Sequence, residues 1–454
     1  MWLLSTDRAE LHYFPSPEEV PDGYGALSHV WDKTEQSFQD VRKIQERCAE
    51  DSTNPRDVVC EKIRRCCELA ESHGYKWVWI DTCCIDKTSS TELSEAINSM
   101  FRFYALARIC YGYLQDVERP ESHDDKGWRN RFLQNIWFER GWTLQELIAP
   151  RFFLFVSKYW EVLESKAALA PYLEWGLTIP AAVLRFEISH TTYSISQRMS
   201  WFGSRKTTRV EDEAYCLLGL FDVHMSPLYG EGRNAFQRLQ EEIMRQSVDT
   251  TLFAWGYAPS ADDDLTRSCL LAPAPSAFER NRVAYIPLQH VWEAHCPPEL
   301  QTTTIRREAQ GAQDISLSVT PRGVLAHIPI IICKKRAYAD LLWCSEPRVS
   351  KSPHKRTSPP YRLLLRLEED PDSEAGPGLS SRRPSYIDKR PAALGRPSSL
   401  GIGRLLIGSL ASSYPQLLVH HSSHLCQANS SSRRHSALTK LTFRSSFTHA
   451  GQAV

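Results

Sequence analysis

Trp142 and Glu146 stand four residues apart in RGWTLQELIAP, residues 140–150. In a helix that spacing projects both side chains from one face. Glu146 is then either an ordinary helix-surface carboxylate, paired with Arg140 or another helix-end charge, or a carboxylate that acts on a substrate. Trp142 either packs into the core or offers an aromatic surface beside it. His29, preceded by Ser28 and two residues before Trp31 in LSHVW (27–31), is either a proton carrier or ligand, or a structural histidine near a strand end. Asp81 and Asp86 of WIDTCCIDK (79–87) flank the end of an apolar run. Carboxylates there either face a substrate or cap a turn or the following helix.

Other chemistries find no template. The chain has no GxxxxGK[ST] phosphate loop, no GxSxG elbow and no HExxH pair. Gly230-Glu-Gly232-Arg-Asn-Ala235 fits GxGxxA, but no strand-helix-strand unit surrounds it and Glu231 brings the wrong charge for a pyrophosphate. It reads as a turn between helices. The 13 cysteines are scattered without CxxC spacing, which points to buried reduced thiols in an intracellular, cytoplasmic protein and to no metal site. Formal net charge is zero across 454 residues, so no overall field argues for nucleic acid or a membrane surface. The N-terminus lacks the pattern of a signal peptide, and no run approaches the eighteen or so apolar residues of a membrane span.

The elements that must position these residues alternate in type. YGALSHVW (24–31), KWVWIDTCCI (76–85), ICYGYLQDV (109–117) and RFFLFVS (151–157) read as strands. Between them, Val59, Ile63, Cys66 and Ala70 share one helical face, and Leu93, Ile97, Met100, Phe101 and Tyr104 share another behind a Ser89–Glu92 capping box. RGWTLQELIAP is a short helix stopped by Pro150. This alternation predicts an α/β fold, a parallel sheet flanked by helices, with ligands gathered beyond the carboxyl ends of the strands. From 158 the pattern turns helical, with a further capping box expected from Thr208 to Glu211. Short β-like pieces follow from 258. Between Lys389 and Val454 there is no acidic residue, but eight Lys or Arg, five His and many serines. That composition predicts a disordered tail that does not fold alone.

Taken in order, YGALSHVWDKTEQSFQD, KWVWIDTCCIDKTSSTELSEAINSMFRFYALARICYGYLQDV and RGWTLQELIAP resemble the three signature blocks of the fungal heterokaryon-incompatibility (HET) domain. RMSWFGSRKTTRVEDEAYCLLGLFDVHMSPLYGEGRNAFQRLQEEIMR (198–245) resembles the helical extension that often follows it. One departure is Asp32, where many members have Gly after the Trp. Pattern and resemblance together divide the chain into a HET domain over 1–157, a helical extension over 158–257, a small β-rich appendage over 258–368 and a basic Ser-rich tail over 369–454.

The resemblance implies a role in non-self recognition, an innate-immunity function in which the domain triggers programmed cell death. Many members join the domain to a nucleotide-binding switch and repeats. Neither is in this sequence, so the expectation is an effector set off by self-association or by other incompatibility or NLR-type proteins. HET domains are similar to Toll/interleukin-receptor (TIR) domains, which share a flavodoxin-like sandwich. Enzymatic TIR domains cleave NAD between nicotinamide and ribose with a glutamate in a Trp–Cys–x–x–Glu–Leu helix. Trp142-Thr143-Leu144-Gln145-Glu146-Leu147 keeps that interval, with Thr for Cys. The resemblance therefore implies Glu146 as catalytic carboxylate of an NAD nucleosidase, with Ser28, His29, Trp31, Asp81 and Trp142 binding substrate. NAD is a substrate in this reading, and no cofactor is implied. The competing reading is a non-enzymatic adaptor whose helices recruit partners. An enzyme needs Glu146, Asp81 and LSHVW to converge on one cavity, whereas an adaptor needs an exposed apolar patch.

Overall fold

The four expected strands form the heart of a seven-stranded sheet. A computed structural model describes residues 1–119, 126–255 and 271–279, and beyond these only the backbone of strands between Val283 and Thr442. In chain order the first sheet contains β1 (Trp2–Ser5), β2 (Leu11–Tyr13), β3 (Gly25–His29), β4 (Trp77–Ile80), β5 (Ile109–Tyr113), β6 (Phe153–Val156) and β7 (Val162–Ser165). Their spatial order is β2-β1-β4-β3-β5-β6-β7. β3 pairs in parallel with β4 and β5, and β5 with β6. Counted among themselves, the parallel strands stand in the order 2-1-3-4. That is the doubly wound arrangement, whose switch point lies between the first and third strands, here β3 and β5.

Local sequence explains the layers. Every residue of β3 is buried, as a strand covered on both faces requires. Helix α1 (Phe38–Glu50) opens on a capping box between Ser37 and Asp40. Helix α2 (Glu61–Ser72) buries Ile63, Cys66, Cys67 and Ala70, and α3 (Ser90–Leu106) buries Ala96, Ile97, Met100, Phe103 and Tyr104. The stripes expected from periodicity are thus the core faces, shifted by a residue or two. After α4 (Lys126–Leu133) comes α5 (Thr143–Ile148), whose six residues are all buried, and then α6 (Lys166–Leu177).

The antiparallel edges β1, β2 and β7 were not legible. At three or four residues each they are too short to show a period. The α/β class holds, but the sheet is mixed rather than wholly parallel.

The chain divides into one unit made of Met1–Thr192 and Trp201–Leu239, and a second made of Tyr193–Ser200 and Gln240–Val454. The first unit runs past residue 157 and takes in short helices at Asp212–Tyr215 and Leu218–Phe221. Gly219 lets the latter approach α3 closely, since a Cβ there would meet Phe101 Cβ at 2.0 Å.

The second unit contains an antiparallel nine-stranded sheet. Gly378–Ser380, Ser399–Ile407, Gln416–His421 and Leu438–Thr442, which fall in the tail, belong to it. Ser399–Ile407 pairs along Val324–Ile332. A segment too poor to fold alone can still add to an existing sheet, where its backbone bonds are supplied by a neighbour. The rest of the tail lies outside the described residues. Among the described residues no helix is long and apolar enough to cross a membrane.

Candidate functional site

Adjacent residues of a strand point to opposite faces, so Ser28 and His29 at the carboxyl end of β3 serve two different clusters. Ser28 is in register with Gly112 of β5. A Cβ at Gly112 would fall 2.4 Å from Phe153 Cζ, so the glycine makes room for an aromatic layer. Trp137 packs on Phe153 and Phe155 of that layer, and its Nε1–H donates to Ser28 Oγ at 2.9 Å. Ser28 Oγ in turn donates to Glu146 Oε2 at 2.5 Å. The first and third sequence blocks therefore meet through one hydroxyl.

Glu146 is 5% exposed, which corrects the picture of a helix-surface carboxylate. On the six-residue α5, buried on all sides, it has no solvent face to occupy.

On the other face, His29 Nε2 lies 3.1 Å from Asp81 Oδ1, and Trp31 Nε1–H donates to Asp81 Oδ2 at 2.9 Å. Asp81 follows directly on β4, so the second block joins the first here. Trp31 is 44% exposed and carries the Lys87 ammonium 3.8 Å from its ring centroid. Glu35 Oε1 stands 3.9 Å from His29 Nδ1 and accepts from Lys62 Nζ at 2.6 Å. Lys62 also pairs with Asp32 at 2.7 Å. Asp32, the departure from the family's glycine, is not among the residues with positive φ, so this turn does not need glycine.

The environments drive the two carboxyls apart. Burial, and then the nearby Asp81 charge, push the Glu146 carboxyl up to about 8 against the hydrogen bond from Ser28 and the Arg140 charge. Burial would raise Asp81 as well, but the hydrogen bond and charge of His29, the Lys87 charge and the Trp31 N–H hold it below its ordinary value. At neutral pH Asp81 is ionised while Glu146 keeps its proton.

The ends of α5 are held from outside it. Gly141 N–H donates to Lys206 O at 2.8 Å, and Lys206 N–H to Glu139 O at 2.7 Å. The Trp142 indole lies beside the Asp212 carboxyl and favours its charged form, while the Tyr229 hydroxyl donates to Asp212 Oδ1 at 2.9 Å. At the other end Lys166, 1% exposed, donates to the carbonyls of Leu147 at 2.8 Å and Pro150 at 2.5 Å. Burial lowers this ammonium to about 7.

Asp86 is a turn residue. Its Oδ1 accepts from Thr88 N–H at 2.9 Å and from Gln39 Nε2 at 2.5 Å. The Thr208–Glu211 capping box does not form. Glu211 instead accepts from Gly230 N–H at 2.8 Å and Gly232 N–H at 3.0 Å. The GxGxxA loop thus spends its amides on an internal carboxylate. Trp137, Lys62 and Lys166 carried no signal in sequence, because their spacing to the site residues is set only by the fold. Among the described residues no group of three or more His, Cys, Asp or Glu is placed to hold a metal ion.

Comparison with known proteins agrees with this architecture. Residues 24–124 match the family model "Heterokaryon incompatibility protein (HET)", so the chain carries a heterokaryon incompatibility domain. Glu146 lies beyond the matched stretch. Residues 234–334 match a second model, a domain of unknown function (DUF8212). Over 235 residues, 50% of this chain, it is 41% identical to the Vegetative incompatibility protein HET-E-1 of Podospora anserina. It spans 17% of that relative's length. No solved structure matches.

Proposed function

We propose that this chain acts in heterokaryon incompatibility, as a cytoplasmic effector of non-self recognition that triggers programmed cell death. In this reading its first unit is TIR-like and cleaves NAD. The observation that carries it is the meeting of the three signature blocks at the carboxyl ends of the parallel strands. There Glu146 bonds to Ser28, and Asp81 bonds to His29 and Trp31. The 2-1-3-4 strand order supports the same reading, because sheets of this order bind ligands beyond the strand ends at the switch point.

The bond between ribose C1′ and the nicotinamide nitrogen breaks, and its electron pair leaves on the nicotinamide. Water adds to C1′ and gives up a proton. Positive charge builds on the sugar in between, and a carboxylate beside it stabilises that state. Glu146 is the group for this role once it has turned away from Ser28 and lost its proton. Turnover then rises with pH up to about 8. Self-association, or docking of an NLR-type partner, completes the site and frees Glu146.

A second reading, a non-enzymatic adaptor, draws on the inward bond of Glu146 and on the exposure of Trp175, Phe186 and Ile188. Incubation of the purified full chain with NAD, following nicotinamide release, separates the two. Loss of turnover and toxicity in a well-folded Glu146→Gln variant supports the enzyme. Toxicity that persists in that variant sinks it and favours the adaptor.

A further inference from the structure

The loop joining β6 to β7 contains a backbone anomaly at the same end of the sheet as His29 and Asp81. It closes with Ser157 N–H donating to Glu161 O and Trp160 N–H donating to Ser157 O, both at 2.9 Å. Trp160 sits at φ 64°, the left-handed region that turns of this kind normally give to glycine. A bulky aromatic is strained there, and strained residues that persist cluster at ligand sites.

The turn places an indole at the end of β5. Trp160 stacks on Tyr113 with centroids 4.6 Å apart and planes at 18°. Tyr113 ends β5 and is in register with His29, so the two side chains share a face of the sheet at the β3/β5 switch point. The Tyr113 hydroxyl donates to Lys158 O at 3.4 Å. The lip of this face thus has Trp31 on one strand and the Tyr113–Trp160 stack on the other.

We propose that Trp160 is a ligand-stacking residue. The part of its indole that Tyr113 leaves open receives the planar heteroaromatic ring of a nucleotide bound at the carboxyl ends of β3 and β5. The choice of NAD as probe rests on the function proposed above. Aromatic stacking contributes affinity for any flat base and tolerates its identity.

NAD binding is measured by calorimetry on the full chain carrying Glu146→Gln, so that turnover does not interfere, alone and combined with Trp160→Gly or Trp160→Phe. Trp160→Gly should weaken NAD binding roughly ten- to hundredfold, the range for one lost stack. It should also melt no lower than its parent, because glycine relieves the strain. Trp160→Phe should keep most of the affinity. Unchanged NAD binding in Trp160→Gly, a lower melting temperature for it, or no NAD binding by the parent each overturns the inference. Binding that depends on Trp160 in a wild-type chain that releases no nicotinamide would refute the enzymatic reading and leave the stacking site standing. Turnover with unchanged binding in Trp160→Gly does the reverse.

Discussion

Glu146→Gln should make the protein more stable, and the gain should depend on pH. In an unfolded chain this carboxyl ionises near 4.5, whereas burial and Asp81 hold it to about 8 in the fold. Between those values the native state keeps a proton that the unfolded chain has released, so stability falls as pH rises. One pKa unit corresponds to about 1.4 kcal/mol, which makes the cost about 3 kcal/mol at pH 7 and less than about 1 kcal/mol at pH 5. Glutamine has the same shape and no proton to lose. Its carbonyl can accept from Ser28, and its amide can donate to the Tyr104 hydroxyl, which already donates to Leu27 O. In a unit of this size each kcal/mol moves the melting temperature by about 2–4 °C, so the variant should melt about 6–12 °C above wild type at pH 7. At pH 5 the two should nearly coincide. Thermal unfolding of the full chain at pH 5, 7 and 8.5 reads the effect directly. Equal melting of the two proteins at every pH would refute the reasoning, because it would mean that Glu146 ionises as freely folded as unfolded.

Three further outcomes follow from the same contacts. Ser28→Ala strands Trp137 Nε1–H and removes a donor from Glu146, both in buried surroundings. A loss of about 1–3 kcal/mol is expected in denaturant unfolding, with the pH-sensitive range displaced upward because the Ser28 bond lowers the Glu146 carboxyl. Lys166 titrates near 10.5 unfolded and about 7 folded, so it makes stability rise between those values as pH increases. Lys166→Met removes that slope but leaves the carbonyls of Leu147 and Pro150 without a donor. The variant should gain on wild type at pH 6 and fall below it at pH 10, and parallel curves in denaturant titrations would contradict this. Gly219→Ala drives a methyl into Phe101 of α3. The expected cost is about 1–3 kcal/mol by thermal unfolding, and a neutral result would show that the segment after residue 200 does not pack there.

Much of the sheet could be read from the chain because its parallel strands are nearly unbroken apolar runs. GALSH is buried at every position and needs no alternation to be recognised. β1 and β7 escaped notice because four residues carry no period, and their antiparallel partners are chosen by sheet edges rather than by composition. Residue types were equally legible at the site. Ser28, His29, Trp31, Asp81 and Glu146 stood out as groups capable of chemistry, and the fold brings all five to one end of the sheet. The alternative in which Glu146 is an ordinary helix-surface carboxylate does not hold, because every residue of α5 is buried.

By itself the sequence determined which residue types reach the carboxyl ends of the parallel strands, since hydrophobic patterning places strand ends and turns within a few residues. Only the tertiary structure decided their protonation, their partners and their direction. Glu146 holds a proton because a whole layer of packed side chains keeps water from it, and Asp81 stays ionised because His29 and Trp31 arrive from another strand and Lys87 turns back from the loop that follows. Trp142 is turned toward Asp212, seventy residues further along the chain. Desolvation and charge depend on distance in space, and no local spacing encodes them.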